Sequence, residues 1–141
     1  MDWKEFDYSA QYSGDGAVLY RPIVSIQVLN GNASIEQLAM IDSGTDRVLM
    51  NAEIAVALGI DPEDCEKIKV AGLGKSEGFA CEMKITFPDF DKTFVMSVGF
   101  VEGLPFGVLL GQRDFFEYFR IRFEKDRRKF LLALSPVANK H

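Results

Sequence analysis

Asp42 is an acid placed directly after the apolar run Leu38–Ile41, at the start of the tetrapeptide Asp-Ser-Gly-Thr. A carboxylate at the end of an apolar strand is costly to desolvate unless it is hydrogen-bonded, paired or used for chemistry. Three interpretations of the triplet Asp42-Ser43-Gly44 are open: an ordinary β-turn, the N-cap of a following helix, or a tight turn that carries a catalytic aspartate.

The flanks of this triplet favour a functional interpretation. The residues before it, 38–41, and after it, 48–50, are apolar, and such flanks place a turn near the protein interior, which a plain surface turn does not need. The single histidine, His141, is the last residue and is poorly held to activate a serine or cysteine nucleophile. Any hydrolytic chemistry in this chain must therefore rest on carboxylates.

The composition limits the classes of protein to which the chain can belong. The length of 141 residues, 48% apolar and 26% charged, is typical of one soluble globular domain. The net charge of -5 argues against nucleic acid as a partner, and the basic cluster at residues 125–129 is better explained as the polar turn of a hairpin. No apolar run approaches the roughly 18 to 20 residues that cross a bilayer, so no membrane association is expected.

The two cysteines, Cys65 and Cys81, are too few for a four-thiolate zinc site, and neither a metal nor another cofactor is expected. A disulfide between them remains open. The N-terminal residues 1–11 do not resemble a secretory signal, so the default expectation is reduced thiols in the cytoplasm. Whether the N-terminal segment is a pro-region is left open.

The periodicity of the chain predicts an all-β fold with two short helices. Alternating apolar residues predict one long strand at 18–31 and a return strand at 34–42, joined by an Asn30-Gly31 turn. Later segments add a helix at 51–60 with Asn51 as its N-cap, a glycine-bearing hairpin at 67–87, an apolar strand at 108–110, a brief helix within 112–119, and a last strand at 129–134. Together these elements favour a small closed β-barrel.

At this point the sequence resembles the retropepsin-like, retroviral-type branch of the aspartic proteases, and within it the small bacterial and archaeal single-domain members. Three ordered features carry the resemblance: Met40 to Thr45, apolar-apolar-Asp-Ser-Gly-Thr; the glycine-bearing hairpin; and apolar-apolar-Gly followed by a short helix from Val108 to Phe119. The resemblance runs from about residue 20 to residue 134. It implies a single domain, 1–141, that forms one lobe of an acid-protease barrel.

The resemblance implies an aspartic endopeptidase that hydrolyses peptide or protein substrates. Such an enzyme needs two carboxylates that share one proton, because two like charges at hydrogen-bond distance do not both ionise easily. This chain has one Asp-Ser/Thr-Gly triplet, so the second carboxylate must come from a second copy. A homodimer with Asp42 of each subunit at the two-fold axis is therefore expected.

Other residues acquire expected roles from the same resemblance. Gly44 would let the backbone pass close beneath the carboxylates, and Ser43 would hold the two turns of the dimer together. Thr45 would donate a hydrogen bond to Asp42, favour its ionised form and give an acidic activity optimum. Five further residues are expected to contact or cover the substrate: the flap residues Gly72, Leu73 and Gly74, the pocket residue Leu109, and Phe106 in the loop at the pocket edge.

Asp46 and Arg113 resemble an acid and an arginine that pair to brace the site. In the viral pattern the arginine directly follows the glycine, whereas here Gln112 lies between Gly111 and Arg113. Two other functions are weighed against the protease: a non-catalytic dimeric scaffold or peptide-binding module with the same fold, and a monomeric barrel that binds a small ligand in a Phe-rich interior.

Overall fold

The computed structural model describes residues 1–70 and 77–138. Within these ranges the strands are β1 Lys4–Asp7, β2 Ser9–Tyr12, β3 Val18–Arg21, β4 Ile23–Asn30, β5 Ala33–Ile41, β6 Val48–Asn51, β7 Glu66–Lys69, β8 Glu77–Phe87, β9 Lys92–Val101, β10 Val108–Leu110, β11 Phe119–Glu124 and β12 Lys129–Leu134. The two α-helices of the described residues are α1 Ala52–Ala57 and α2 Phe115–Tyr118. Short 3₁₀ turns lie at Pro62–Asp64, Pro88–Phe90 and Lys125–Arg127.

Six strands form a closed barrel. Their order is β4-β5-β10-β6-β9-β8, and β8 closes the ring by pairing with β4. The N-terminal part of β8 pairs instead with β7, which therefore lies outside the closed ring. The predicted fold class, mostly β with two short helices and a small closed barrel, is confirmed.

The β4–β5 hairpin follows from its alternating sequence. Ile26 and Val28 of β4 are buried in the barrel, whereas Ser25 between the apolar positions is exposed. Gly31, with φ 58°, makes the predicted turn between the two strands. The predicted single strand at 18–31 is wrong in one respect: it is broken at Pro22 into β3 and β4, because proline lacks the N–H that a continuous ladder needs.

Strand β10 lies between β5 and β6. It runs parallel to β5, with Leu109 opposite Met40, and antiparallel to β6, with Leu109 opposite Leu49. The segment that joins β5 to β6, residues 42–47, must therefore pass over the end of β10. We call this segment the aspartate turn.

An aromatic cluster fills the core beside α2. Phe94 and Tyr118 stack with ring centroids 4.5 Å apart, and Phe87, Phe115 and Phe119 pack on one another at 4.8 to 5.7 Å. The aromatic residues of the sequence thus serve packing in this region. Helix α2 begins after Asp114, whose side chain accepts a hydrogen bond from the Ser97 backbone at 2.8 Å and ties the helix to β9.

The N-terminal segment also packs on the body of the protein. Strand β1 pairs with β12, which pairs with β11, and this three-stranded sheet includes residues outside the expected core of 20–134. The Phe6 ring stacks on Phe130 with centroids 5.2 Å apart, and Tyr8 meets the same ring edge-on at 5.7 Å. Residues 125–128 of the basic cluster form the turn between β11 and β12, as predicted, whereas Lys129 begins β12.

Helix α1 has Asn51 at its N-cap position, as predicted, but the Asn51 side chain does not cap the helix. Its Oδ1 instead accepts a weak hydrogen bond from the Leu104 backbone at 3.4 Å. No helix in the described part of the chain is long and apolar enough to span a membrane.

A disulfide joins Cys65 to Cys81, with Cα atoms 5.1 Å apart. The default expectation of reduced thiols is therefore wrong for this structure. The bridge links the residue before β7 to β8, so it holds the base of the β7–β8 hairpin.

Candidate active site

Both carboxylate oxygens of Asp42 have a hydrogen-bond donor in the aspartate turn. The Gly44 backbone N–H donates to Oδ1 at 2.9 Å, and the Thr45 hydroxyl donates to Oδ2 at 3.0 Å. The Asp42 backbone N–H donates to the Leu110 carbonyl at 3.0 Å, which fixes the residue to the end of β10. These bonds offset the desolvation of a half-buried carboxylate.

The local structure separates the three interpretations of the triplet. Strand β6 follows the turn, so Asp42 does not cap a helix and the N-cap interpretation is wrong. The Thr45 backbone N–H lies 3.3 Å from the Asp42 carbonyl in a turn geometry. The segment is therefore a β-turn, and its half-buried, hydrogen-bonded carboxylate is also what a catalytic aspartate would require.

Gly44 is closely packed against the carboxylate. A Cβ atom at this position would lie 3.3 Å from Asp42 Oδ1, closer than most real contacts of such atoms. Ser43 is exposed, and its backbone carbonyl accepts a hydrogen bond from Gln112 Nε2 at 2.8 Å.

The segment after β10 forms hydrogen bonds with the aspartate turn. The Gln112 backbone N–H donates to the Thr45 carbonyl at 2.8 Å, in addition to the side-chain bond to Ser43. A Cβ atom at Gly111 would lie well under 3.0 Å from the carbonyl oxygens of Thr45 and Arg47, so only glycine fits there. Sequence reasoning missed the bracing role of Gln112, although the insertion of this residue into the viral pattern was a signal.

The expected brace between Asp46 and Arg113 takes a different form. The Arg113 backbone N–H donates to the Asp46 carbonyl at 2.9 Å, and the two side chains form no ion pair in the described structure. Both side chains are exposed. Gln112 displaces Arg113 by one residue along the chain, so its main chain rather than its guanidinium meets the turn.

A cleft of about 510 Å³ opens beside the carboxylate. It is lined by Asp42, Gly44, Thr45, Asp46, Arg47, Leu49, Lys69, Val70, Pro105 and Leu109. Leu109 contributes to this lining, and it also belongs to a small buried cluster with Ile23, Met40 and Leu49. Phe106 packs against that cluster and is not among the cleft residues.

The expected flap residues Gly72, Leu73 and Gly74 lie outside the described residues. The arms of their hairpin are described: β7 and β8 pair antiparallel, with Lys69 opposite Glu77. Lys69 and Val70, at the end of β7, line the cleft. Sequence reasoning missed both, and it also missed Arg47, because none of them belongs to a motif.

A solved structure shares this architecture. The crystal structure of a retropepsin-like aspartic protease from Rickettsia conorii matches with a TM-score of 0.60 over 93% of this chain and 91% of that chain, at 18% identity. The chain has a retropepsin-like fold. The retroviral protease-like domain of Ddi1 from Leishmania major matches with a TM-score of 0.49, over 81% of this chain and 89% of that chain, at 14% identity.

No protein-family model and no curated protein matches the chain. At 18% identity, the likeness to the Rickettsia protein concerns the fold alone. Within this retropepsin-like fold, what the residues around Asp42 can do chemically depends on their own geometry.

Proposed function

We propose that the chain is a homodimeric aspartic endopeptidase in which Asp42 of each subunit activates a water molecule. The observation that carries this proposal is the Asp42 carboxylate itself, half-buried at a cleft, with Gly44 N–H on one oxygen and the Thr45 hydroxyl on the other. These neutral donors orient the carboxylate without neutralising it by a cation.

The chemistry needs a second carboxylate. One ionised carboxylate accepts a proton from water as the water attacks the scissile carbonyl carbon, while a protonated carboxyl donates to the carbonyl oxygen. The tetrahedral intermediate then collapses as a proton passes to the leaving nitrogen. Because each chain supplies one such aspartate, the dyad forms only when two copies meet about a two-fold axis. This reaction needs no metal or other cofactor.

The substrate is a peptide or a segment of a protein. The floor of the cleft includes the apolar side chains of Leu49, Val70 and Leu109, which favour apolar residues beside the scissile bond. Gly72, Leu73 and Gly74 would form a flap that closes over the peptide, because glycines permit the bend and the movement that closure requires. The whole chain, residues 1–141, would act as the protease domain.

The test is cleavage of a diverse peptide library between pH 3 and pH 8, by the wild type and by Asp42→Asn, with and without pepstatin. We expect cleavage that pepstatin blocks and that Asp42→Asn lowers by at least about a thousandfold. Asp126→Asn, which removes an exposed acid from the β11–β12 turn, is the matched control. A dimer that cleaves no peptide would favour the non-catalytic scaffold instead.

The disulfide indicates in which cellular compartment the protein is found. Glutathione and thioredoxin keep cytoplasmic thiols reduced, so the Cys65–Cys81 bridge favours an oxidising compartment over the predicted cytoplasm. Trapping of free thiols in intact cells, followed by mass spectrometry, measures which state is present. Free thiols on both cysteines would restore the cytoplasmic assignment.

A further inference from the structure

Arg47 lies in the aspartate turn and lines the same cleft as Asp42. The Cδ atom of its side chain lies over Gly99 of β9, where an added Cβ atom would come within 3.2 Å of it. Leu49 and Ile68 meet the same glycine. The absence of a side chain at Gly99 thus leaves room for the Arg47 stem between the barrel and the β7 arm.

The guanidinium of Arg47 is incompletely satisfied. Its Nη1 atom is buried and has no hydrogen-bond partner among residues 1–70 and 77–138. A buried N–H group without an acceptor costs free energy, and the cost is larger when the group is charged. Across residues 1–70 and 77–138, the ion pairs involve Arg122, Arg127 and Lys129, and none involves Arg47.

Lys69 places a second cation on the cleft. It is exposed at the end of β7, and no ion pair or side-chain hydrogen bond engages it within the described chain. The acids on the same cleft are Asp42, whose oxygens already accept from Gly44 and Thr45, and the exposed Asp46. Arg47 and Lys69 are therefore two cations of this cleft that have no anionic partner among the described residues.

We infer that this cleft binds a carboxylate of its peptide substrate on Arg47, with Lys69 as a second contact. An arginine donates two parallel N–H···O bonds to a carboxylate, which would give the guanidinium acceptors that it lacks among the described residues. The apolar floor beside it would hold a neighbouring apolar residue of the same peptide. This inference rests on the proposed function for the identity of the ligand as a peptide.

The carboxylate has two possible sources, a Glu or Asp side chain and the C-terminus of a peptide. Both present the same planar anion to the guanidinium. They differ in one property that an experiment controls, because amidation removes the terminal charge and leaves side-chain carboxylates intact.

The test measures binding in the Asp42→Asn variant, so that cleavage does not consume the probe. The probe is an octapeptide library in which Glu, Gln or Lys is fixed at each position in turn, made with free and with amidated C-termini. We expect at least about tenfold stronger retention of the Glu set than of the Gln set at one position. If the C-terminus is the source, peptides with a free C-terminus should be retained at least about tenfold more strongly than the same peptides with an amidated C-terminus.

Variants identify the side chains responsible. Arg47→Gln should abolish the preference, Arg47→Glu should reverse it toward Lys, and Lys69→Gln should reduce it. Lys67→Gln is the matched control, because Lys67 is an exposed cation on the same strand that does not line this cleft. A preference that survives in Arg47→Gln would overturn the inference, as would equal retention of the Glu and Gln sets with no difference between free acids and amides.

Cleavage by the wild type separates this inference from the protease proposal. Carboxylate-selective binding without any cleavage would remove the protease proposal and leave the carboxylate site standing. Cleavage that depends on Asp42 but is indifferent to carboxylates would do the reverse. Absence of binding to every peptide set would overturn the carboxylate site.

Discussion

At the scale of single residues, the orientation of the Asp42 carboxylate is set within its own turn. One donor is a backbone N–H, from Gly44, which no side-chain substitution removes directly, and the other is the hydroxyl of Thr45. The hydroxyl is thus the one of these two donors that a single substitution can remove. Thr45 is therefore the residue through which the orientation of the carboxylate can be tested.

Thr45→Ala should lower kcat/KM by about tenfold, because loss of the hydroxyl leaves Asp42 Oδ2 without this donor and the carboxylate less firmly oriented. The measurement is kcat/KM for one cleaved peptide at a fixed pH. Thr86→Ala removes a hydroxyl that is paired at 2.7 Å with Thr93 on the opposite strand, and it serves as the control. An unchanged kcat/KM in Thr45→Ala would show that the hydroxyl does not orient the reacting group.

The sequence was enough to predict the hydrogen bond from Thr45 to Asp42, because the two residues lie within four consecutive positions and their apolar flanks mark the turn. The sequence was not enough to predict that Gln112 braces the turn or that Arg47 lines the cleft. Their surroundings depend on contacts with strands and turns distant in the chain, and a local pattern carries no information on these. The Asp46–Arg113 pair failed for the same reason, since one inserted residue changed which atoms meet.

At the scale of elements, the closeness of β10 to the aspartate turn explains the demand for glycine at position 111. Gly111→Ala should lower the free energy of unfolding by about 3 kcal/mol, because the methyl group would collide with two backbone carbonyls that cannot move independently. Urea unfolding measures the change.

Gly14→Ala is the control for this substitution, because a Cβ atom there meets nothing within 4 Å and the backbone does not require positive φ. It should change the free energy of unfolding by less than about 1 kcal/mol. Equal effects of the two substitutions would contradict the proposed collision at Gly111.

The disulfide is the covalent constraint on the β7–β8 hairpin. It closes a loop across a sequence separation of 16 residues, so the double variant Cys65→Ser/Cys81→Ser should lose about 3 kcal/mol of unfolding free energy. Dithiothreitol should lower the stability of the wild type by a similar amount and leave the double variant unchanged. If the double variant is as stable as the wild type, the bridge does not constrain the unfolded chain.

At the scale of the whole molecule, the proposed enzyme is defined by two chains. When wild type and Asp42→Asn exchange subunits freely in equal amounts, dimers with two intact aspartates make up about one quarter of the total. Activity should therefore fall to about one quarter of that of the undiluted wild type at the same total concentration. A fall to one half would mean that each chain works alone.

Strand β10 is also the last barrel strand along the chain, yet it lies between two strands of the first half, β5 and β6. The aspartate turn spans its end and takes the Leu110 carbonyl as a partner. A nascent chain that stops short of residue 108 lacks this strand, so it cannot hold Asp42 in the form described here. Pairings between such distant segments are slow to form, because their loop-closure entropy must be overcome first. During synthesis, the cleft can therefore form only after residue 110 has left the ribosome.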